Sequence, residues 1–224
     1  IEQHHIGKVI LSEEALSEID AGMIQLALLD GVRQKGIDCL PWSDSSRELQ
    51  ARICFLHKEL GSDWPDVSDM ALSENMQTWL LPYLVGMSRL SHIQKLDMQA
   101  IVLAMLSWEQ QRQLNELAPT HMMVPSGSRI RIDYSQSPPV LAVRLQEMFG
   151  LADTPQIANG KVTLMLHLLS PARRPVQITQ DLAGFWQSSY HEVKKDLKGR
   201  YPKHVWPDDP MQAQATARAK PRGK

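Results

Sequence analysis

Cysteine is scarce: the 224 residues contain two, Cys39 and Cys54. Both lie in apolar, helix-like surroundings with no Cys or His at ligand spacing, which excludes a disulfide framework and a zinc site and fits a reducing, cytoplasmic compartment. Long hydrophobic runs are missing as well. The longest, "AIVLAML" from Ala100 to Leu106, falls far short of the roughly 20 residues that a membrane span needs. The opening "IEQHHIGKVI" lacks the apolar centre of a secretory signal. It begins at Ile1 rather than Met, so the chain reads as a segment of a longer polypeptide. Net charge is nearly absent too, at −1. That balance hides an asymmetry, because from Pro171 onward eleven basic residues face five acidic ones, giving +6 and leaving −7 for the rest. Any polyanion contact is therefore expected at the C-terminal end.

Self-contained catalytic motifs are also lacking. Gly160-Lys161-Val162 has neither the upstream glycine nor the Ser/Thr of a phosphate loop. "HEVKK" at His191 begins like a metalloprotease helix but carries Lys195 where a second histidine must stand. No G-x-S-x-G is present, and His4-His5 are adjacent and cannot share a helix face. No catalytic residue, no metal site and no cofactor are expected within this segment.

The residues present, at 43% hydrophobic and 22% charged, suit a folded globular chain of one or two domains. The first half has helical periodicity. In "SEEALSEIDAGMIQLALLDGVRQKG" the inward positions are Leu16, Ile19, Met23, Leu26 or Ala27, and Val32, with Gly31 and Gly36 as stops. "SDSSRELQARICFLHKELG" places Leu49, Ile53, Leu56 and Leu60 on one face and ends at Gly61. A short helix follows with Leu72, Met76, Trp79 and Leu80 inward, interrupted by Pro82. Asp97 is the expected N-cap of the next helix, and Ser107 with Gln110 forms a capping box for the last. Trp42, Trp64, Trp79 and Trp108 read as packing anchors.

After Pro119 the pattern changes. Arg129, Arg131 and Asp133 alternate with Ile130, Ile132 and Tyr134, which predicts a half-buried strand with a polar outer face. "PVLAVRLQEMFG" reads as helix, with Leu141, Leu145, Met148 and Phe149 inward. "KVTLMLHLLSP" and "RPVQITQD" read as strands joined by "SPARR", and one helix is expected over "DLAGFWQSSYHEVKKDLKG". The predicted class is α+β: a helical region over 1–118, a small mixed α+β domain with an antiparallel sheet over 119–210, and a disordered basic tail over 211–224.

The binding candidates follow from charge and placement alone. Arg173 and Arg174 occupy the loop between two strands, where guanidiniums can reach phosphates in a bidentate fashion. Lys194, Lys195, Lys198 and Arg200 lie on the last helix, and Lys203 follows in "GRYPKHVWPDDP". Tyr201 and Trp206 in that segment serve either as the anchors of a proline-braced strap or as platforms that stack bases. The strap reading leaves the basic side chains facing outward.

The run from Pro138 to Pro210, with "LQEMFGLADTPQIANGKVTLMLHLLSPARRP", and the upstream "RELQARICFLH", "WPDVSD", "WLLPYLVGM" and "LNELAPTHMMVPSGSRIRIDY" resemble the C-terminal region of the HrpB-type ATP-dependent helicases, a bacterial branch of the DEAH-box RNA helicases. The resemblance implies upstream RecA-like motor domains that use ATP and magnesium, whose motifs have no counterpart in this sequence. It leaves two roles open for the segment. One is an accessory region that assists binding of RNA or single-stranded nucleic acid. The other is a protein-interaction or architectural module with no RNA contact.

Overall fold

The computed structural model describes residues 2–14 and 20–218. Contacts divide the chain into two discontinuous units, residues 1–49 with 66–105 and residues 50–65 with 106–224. The expected break near Pro119 marks a change of secondary structure, whereas the contact boundary runs through a helix at Leu49 and Gln50.

The first unit opens on a hairpin that helical periodicity did not anticipate: β1 (Glu2–Ile6) and β2 (Val9–Glu14), with Gly7 in the left-handed region of the turn. The helix expected from Ser12 begins at Ala21 instead, as α1 (Ala21–Lys35). Leu16 and Ile19 lie outside the described residues. Met23 and Leu26, expected inward, are exposed, and Leu28, Leu29 and Val32 are buried. Gly31 does not stop α1 but helps to choose this face. A Cβ there would stand 3.1 Å from Leu90 Cδ2, so the bare backbone is what lets Leu90 close on the helix.

Helix α2 (Asp44–Leu60) buries Leu49, Ile53 and Leu56 as the spacing predicts, and Gly61 ends it at φ +86°. The next expected helix is split into α3 (Asp69–Glu74) and α4 (Met76–Trp79), with a 3-10 turn over Leu81–Leu84 at Pro82. Leu72, Met76, Trp79 and Leu80 are all buried. Helix α5 (Met98–Ala104) is capped by Asp97, whose carboxylate accepts from the Ala100 amide at 3.0 Å.

In the second unit α6 (Trp108–Leu117) carries the full capping box: the Gln110 amide donates to Ser107 Oγ, and the Ser107 amide donates to Gln110 Oε1. Trp108 is not a core anchor. It is 71% exposed, and the Arg112 guanidinium lies 4.8 Å from its ring centre. The other end of α6 is closed by Arg52 of α2, which donates to Ala118 O at 2.6 Å, Leu114 O at 3.2 Å and Asn115 Oδ1 at 2.7 Å.

The remaining strands are β3 (His121–Met123), β4 (Arg129–Asp133), β5 (Val140–Arg144), β6 (Gln156–Ile157), β7 (Val162–Thr163), β8 (Met165–Leu169) and β9 (Pro175–Thr179). Five of them form one sheet in the order β3-β4-β5-β8-β9, and β6 pairs with β7 alone. The expected antiparallel pairing holds for β3-β4, β4-β5 and β8-β9, and the sheet is mixed because β5 and β8 run parallel, Leu141 beside Leu166. The segment expected as a helix after Pro139 is therefore β5 and a 3-10 turn over Leu145–Glu147. Its burial was legible even though its conformation was not, since Leu141, Leu145, Met148 and Phe149 are all buried. β5 lies between β4 and β8 in the sheet, and a short apolar run of this kind does not distinguish strand from helix.

The C-terminal helix is two helices, α7 (Leu182–Gln187) and α8 (Tyr190–Arg200), the first capped by the Asp181 carboxylate. Phe149, Phe185, Trp186 and Tyr190 pack as tilted and edge-on rings with centroids 5.0 to 6.3 Å apart. Past α8 the chain lies down as a strap. The Trp206 indole N–H donates to Tyr201 O, Gln146 Nε2 donates to Val205 O, and the Gly150 amide donates to Pro210 O at 3.0 Å. Residues 211–218, expected to be disordered, continue along this unit. The Thr216 amide donates to Gln146 O at 3.0 Å, and Arg144 Nη1 donates to Ala217 O at 3.2 Å.

Candidate nucleic-acid interface

The loop between β8 and β9 is a tight turn built around Ser170. The Arg173 amide donates to Ser170 O at 2.8 Å, the Ser170 amide to Arg174 O at 2.8 Å, and the Arg174 amide to Ser170 Oγ at 3.1 Å. Ser170 is buried, and both arginines are exposed. Arg173 stands at φ +60°. A non-glycine residue in that region costs on the order of 1 kcal/mol, so the turn holds a guanidinium outward where glycine would sit without strain.

The other expected cations are placed unevenly. Lys195 and Lys198 are exposed on α8, and Lys203 is exposed on the strap. Arg200 is exposed with its Nε 3.7 Å from Asp196. Lys194 is not an outward cation. It is 8% exposed, and its ammonium donates to the Asp208 carboxylate, which this bond and the adjoining positive charge hold below the usual carboxylate range. The same corner holds Tyr190, whose hydroxyl donates to Pro207 O and whose pKa is raised by burial and then by the Asp208 charge. Lys194 thus fastens the strap to α8.

Tyr201 and Trp206 settle the role of "GRYPKHVWPDDP". Trp206 is buried, and the ring of Tyr201 meets His204 edge-on at 6.2 Å. His204 in turn bonds through Nδ1 to Gln146 Oε1 at 3.0 Å. Because Gln146 Nε2 is committed to Val205 O, its oxygen accepts and the imidazole donates. Burial, and then the Arg144 charge, lower the His204 pKa.

The balance of charge therefore shifts toward the sheet. Around α8 and the strap, Lys194, Lys195, Lys198, Arg200 and Lys203 stand among Glu192, Asp196, Asp208 and Asp209, five cations to four carboxylates. On the β4–β5 side, Arg129, Arg131, Arg144 and Arg173 line one recess together with Glu147. The sequence pattern already put Arg129 and Arg131 on the outer face of a strand. It did not bring Arg144 to them, because that segment reads as helix. Among the described residues no group of three metal-binding side chains occurs, and no helix is long and apolar enough to cross a membrane.

A mixed sheet backed by short helices, with an arginine-lined rim and a strap across one end, defines an α+β module with a cationic edge. Residues 79–210 match the family described as ATP-dependent helicase C-terminal, and the chain belongs to that family. It is 45% identical over 217 residues to the ATP-dependent RNA helicase HrpB of Escherichia coli strain K12, covering 96% of this chain and 27% of that protein. The crystal structure of the E. coli DExH-box NTPase HrpB superposes with a TM-score of 0.81 at 43% identity over 97% of this chain and 27% of that one. A second, of the E. coli DEAH/RHA helicase HrpB, gives 0.70 at 42% identity over 91% and 26%. The chain thus spans about a quarter of the length of the relatives it matches.

Proposed function

We propose that this chain is the C-terminal accessory region of a cytoplasmic ATP-dependent RNA helicase. In this reading RecA-like motor domains of the same polypeptide carry the ATP and magnesium chemistry, and this region assists nucleic-acid binding. The observation that carries it is the Ser170–Arg174 turn, which holds two exposed guanidiniums off the sheet, one of them in a strained backbone conformation. Guanidiniums so placed contact phosphates whatever the base sequence, and such contacts weaken as salt rises. Lys195, Lys198, Arg200 and Lys203 supply further positive charge on α8 and the strap, partly balanced by Asp196 beside Arg200; Lys194 is committed to Asp208.

The test is fluorescence anisotropy of the full-length protein with a labelled single-stranded RNA across a salt series, with R173E/R174E beside the parent. Binding that weakens linearly in log salt, and a shallower slope in the variant, supports the reading. An unchanged slope removes it. The competing reading, a protein-docking module without RNA contact, draws on the exposed apolar side chains Ile6, Val9 and Leu11 of the β2 hairpin. It predicts that the double variant leaves RNA binding untouched.

A further inference from the structure

The ladder between β4 and β5 contains Ile132 opposite Leu141 and Asp133 opposite Val140. The residues that continue the two strands, Arg129–Arg131 on one and Ala142–Arg144 on the other, line a recess of about 400 Å3 instead. Arg173 of the loop and Glu147 complete its wall. Four guanidiniums from three separate stretches of chain therefore converge on one depression.

Glu147 is the carboxylate that lines the recess beside these guanidiniums. Glu147 is buried; it accepts from Ser126 Oγ at 2.9 Å and lies 3.9 Å from Arg144 Nη1. Asp133 lies further along β4, where Ser135 and Gln136 donate to its carboxylate. The Nε–H of Arg144 is buried without a hydrogen-bond partner among the described residues. Gathering like charges in a concave site with fewer carboxylates than cations raises the local potential for anions and destabilises the empty state. A bound anion relieves both effects. None of the recess's lining residues is aromatic, so its wall offers no ring platform for a base. The guanidinium fork matches phosphate oxygens, and the volume admits a phosphate together with its sugar.

We propose that this recess seats a phosphodiester of a single-stranded RNA backbone, held by Arg129, Arg131 and Arg173 over Arg144. This assignment rests on the nucleic-acid reading above and locates its principal contact on the sheet rather than on α8. Specificity for base sequence is not expected there, and salt sensitivity is.

The experiment compares full-length protein, R129Q/R131Q, R173E/R174E and the control R33Q/R112Q by anisotropy with fluorescein-labelled single-stranded RNA. The control removes the same charge from exposed arginines elsewhere on the chain, one beside Asp30 and one against Trp108. Each phosphate contact on a single strand contributes about 0.7 to the slope of log affinity against log salt. R129Q/R131Q is expected to flatten the slope by about 1.4 and to weaken binding several-fold, with the control unchanged. Equal effects of R129Q/R131Q and the control overturn the assignment, as net charge alone would explain them. No effect of R129Q/R131Q, with R173E/R174E weakened, overturns the recess and leaves the broader reading standing. No effect in either ends both.

Discussion

Arg52 shows how a single side chain can hold an element in place. The first turns of α5 and α6 are closed by short polar residues that the sequence announces, Asp97 and Ser107, and that of α7 by Asp181. The last turn of α6 is closed from a distance by a guanidinium 5% exposed, through three acceptors at residues 114, 115 and 118. Hydrogen bonds to charged groups contribute more than neutral ones, and an acceptor left buried and unpaired costs its full desolvation. Arg52→Met keeps much of the apolar stem but strands those acceptors, so it is expected to lower stability by about 3 kcal/mol. Urea unfolding followed by tryptophan fluorescence checks this; an unchanged midpoint would mean that water replaces the guanidinium at little cost. Nothing local in "RELQARICFLH" signals this role, because the acceptors lie more than sixty residues along the chain.

At the scale of elements, the strap from Tyr201 to Pro210 couples packing to pH. His204 donates to Gln146, and its pKa is lowered by burial and by Arg144. In the unfolded chain the imidazole titrates near 6.5. Between that value and the lower folded one the unfolded state binds more protons, so stability rises with pH. The contribution is full above the unfolded value and is lost as pH falls through the folded one. Denaturation midpoints measured from about pH 8 to about pH 5 should fall toward acid, and H204Q should flatten that fall; parallel curves for both proteins would rule His204 out as the group responsible. The prolines and aromatics of this segment offered a strap in the sequence beside a stacking platform, and the burial and indole hydrogen bond of Trp206 select the strap. Other elements were legible where their determinants are local, as in α2 with its apolar stripe and terminal Gly61, or β4 with its alternation. They were not legible where pairing decides. β5 is a strand because β8 lies parallel beside it, α1 turns a different face inward because Leu90 sits on Gly31, and four arginines meet only because β4, β5 and the Ser170 turn come together.

At the scale of the whole chain, the uneven charge seen in the sequence is redistributed by folding. The basic C-terminal quarter spends Lys194 on its own strap and balances much of α8 against nearby carboxylates, while arginines from residues 129 to 174 make the stronger cationic edge. The end of the chain participates in that edge. Residues 211–218 have no large apolar side chain after Met211, yet the Thr216 amide donates to Gln146 O and Ala217 O accepts from Arg144, one of the recess arginines. Two such bonds, each worth about 1 kcal/mol net, are partly offset by the entropy of ordering the segment. A stop placed after Pro210 in the full-length protein is therefore expected to lower the stability of this unit by about 1 kcal/mol. Hydrogen exchange in the intact protein should show the Thr216 amide protected relative to that of Gln214. If Thr216 exchanges as fast as Gln214 and the urea midpoint does not move on truncation, the tail adds nothing to the fold and Arg144 is oriented by Glu147 alone.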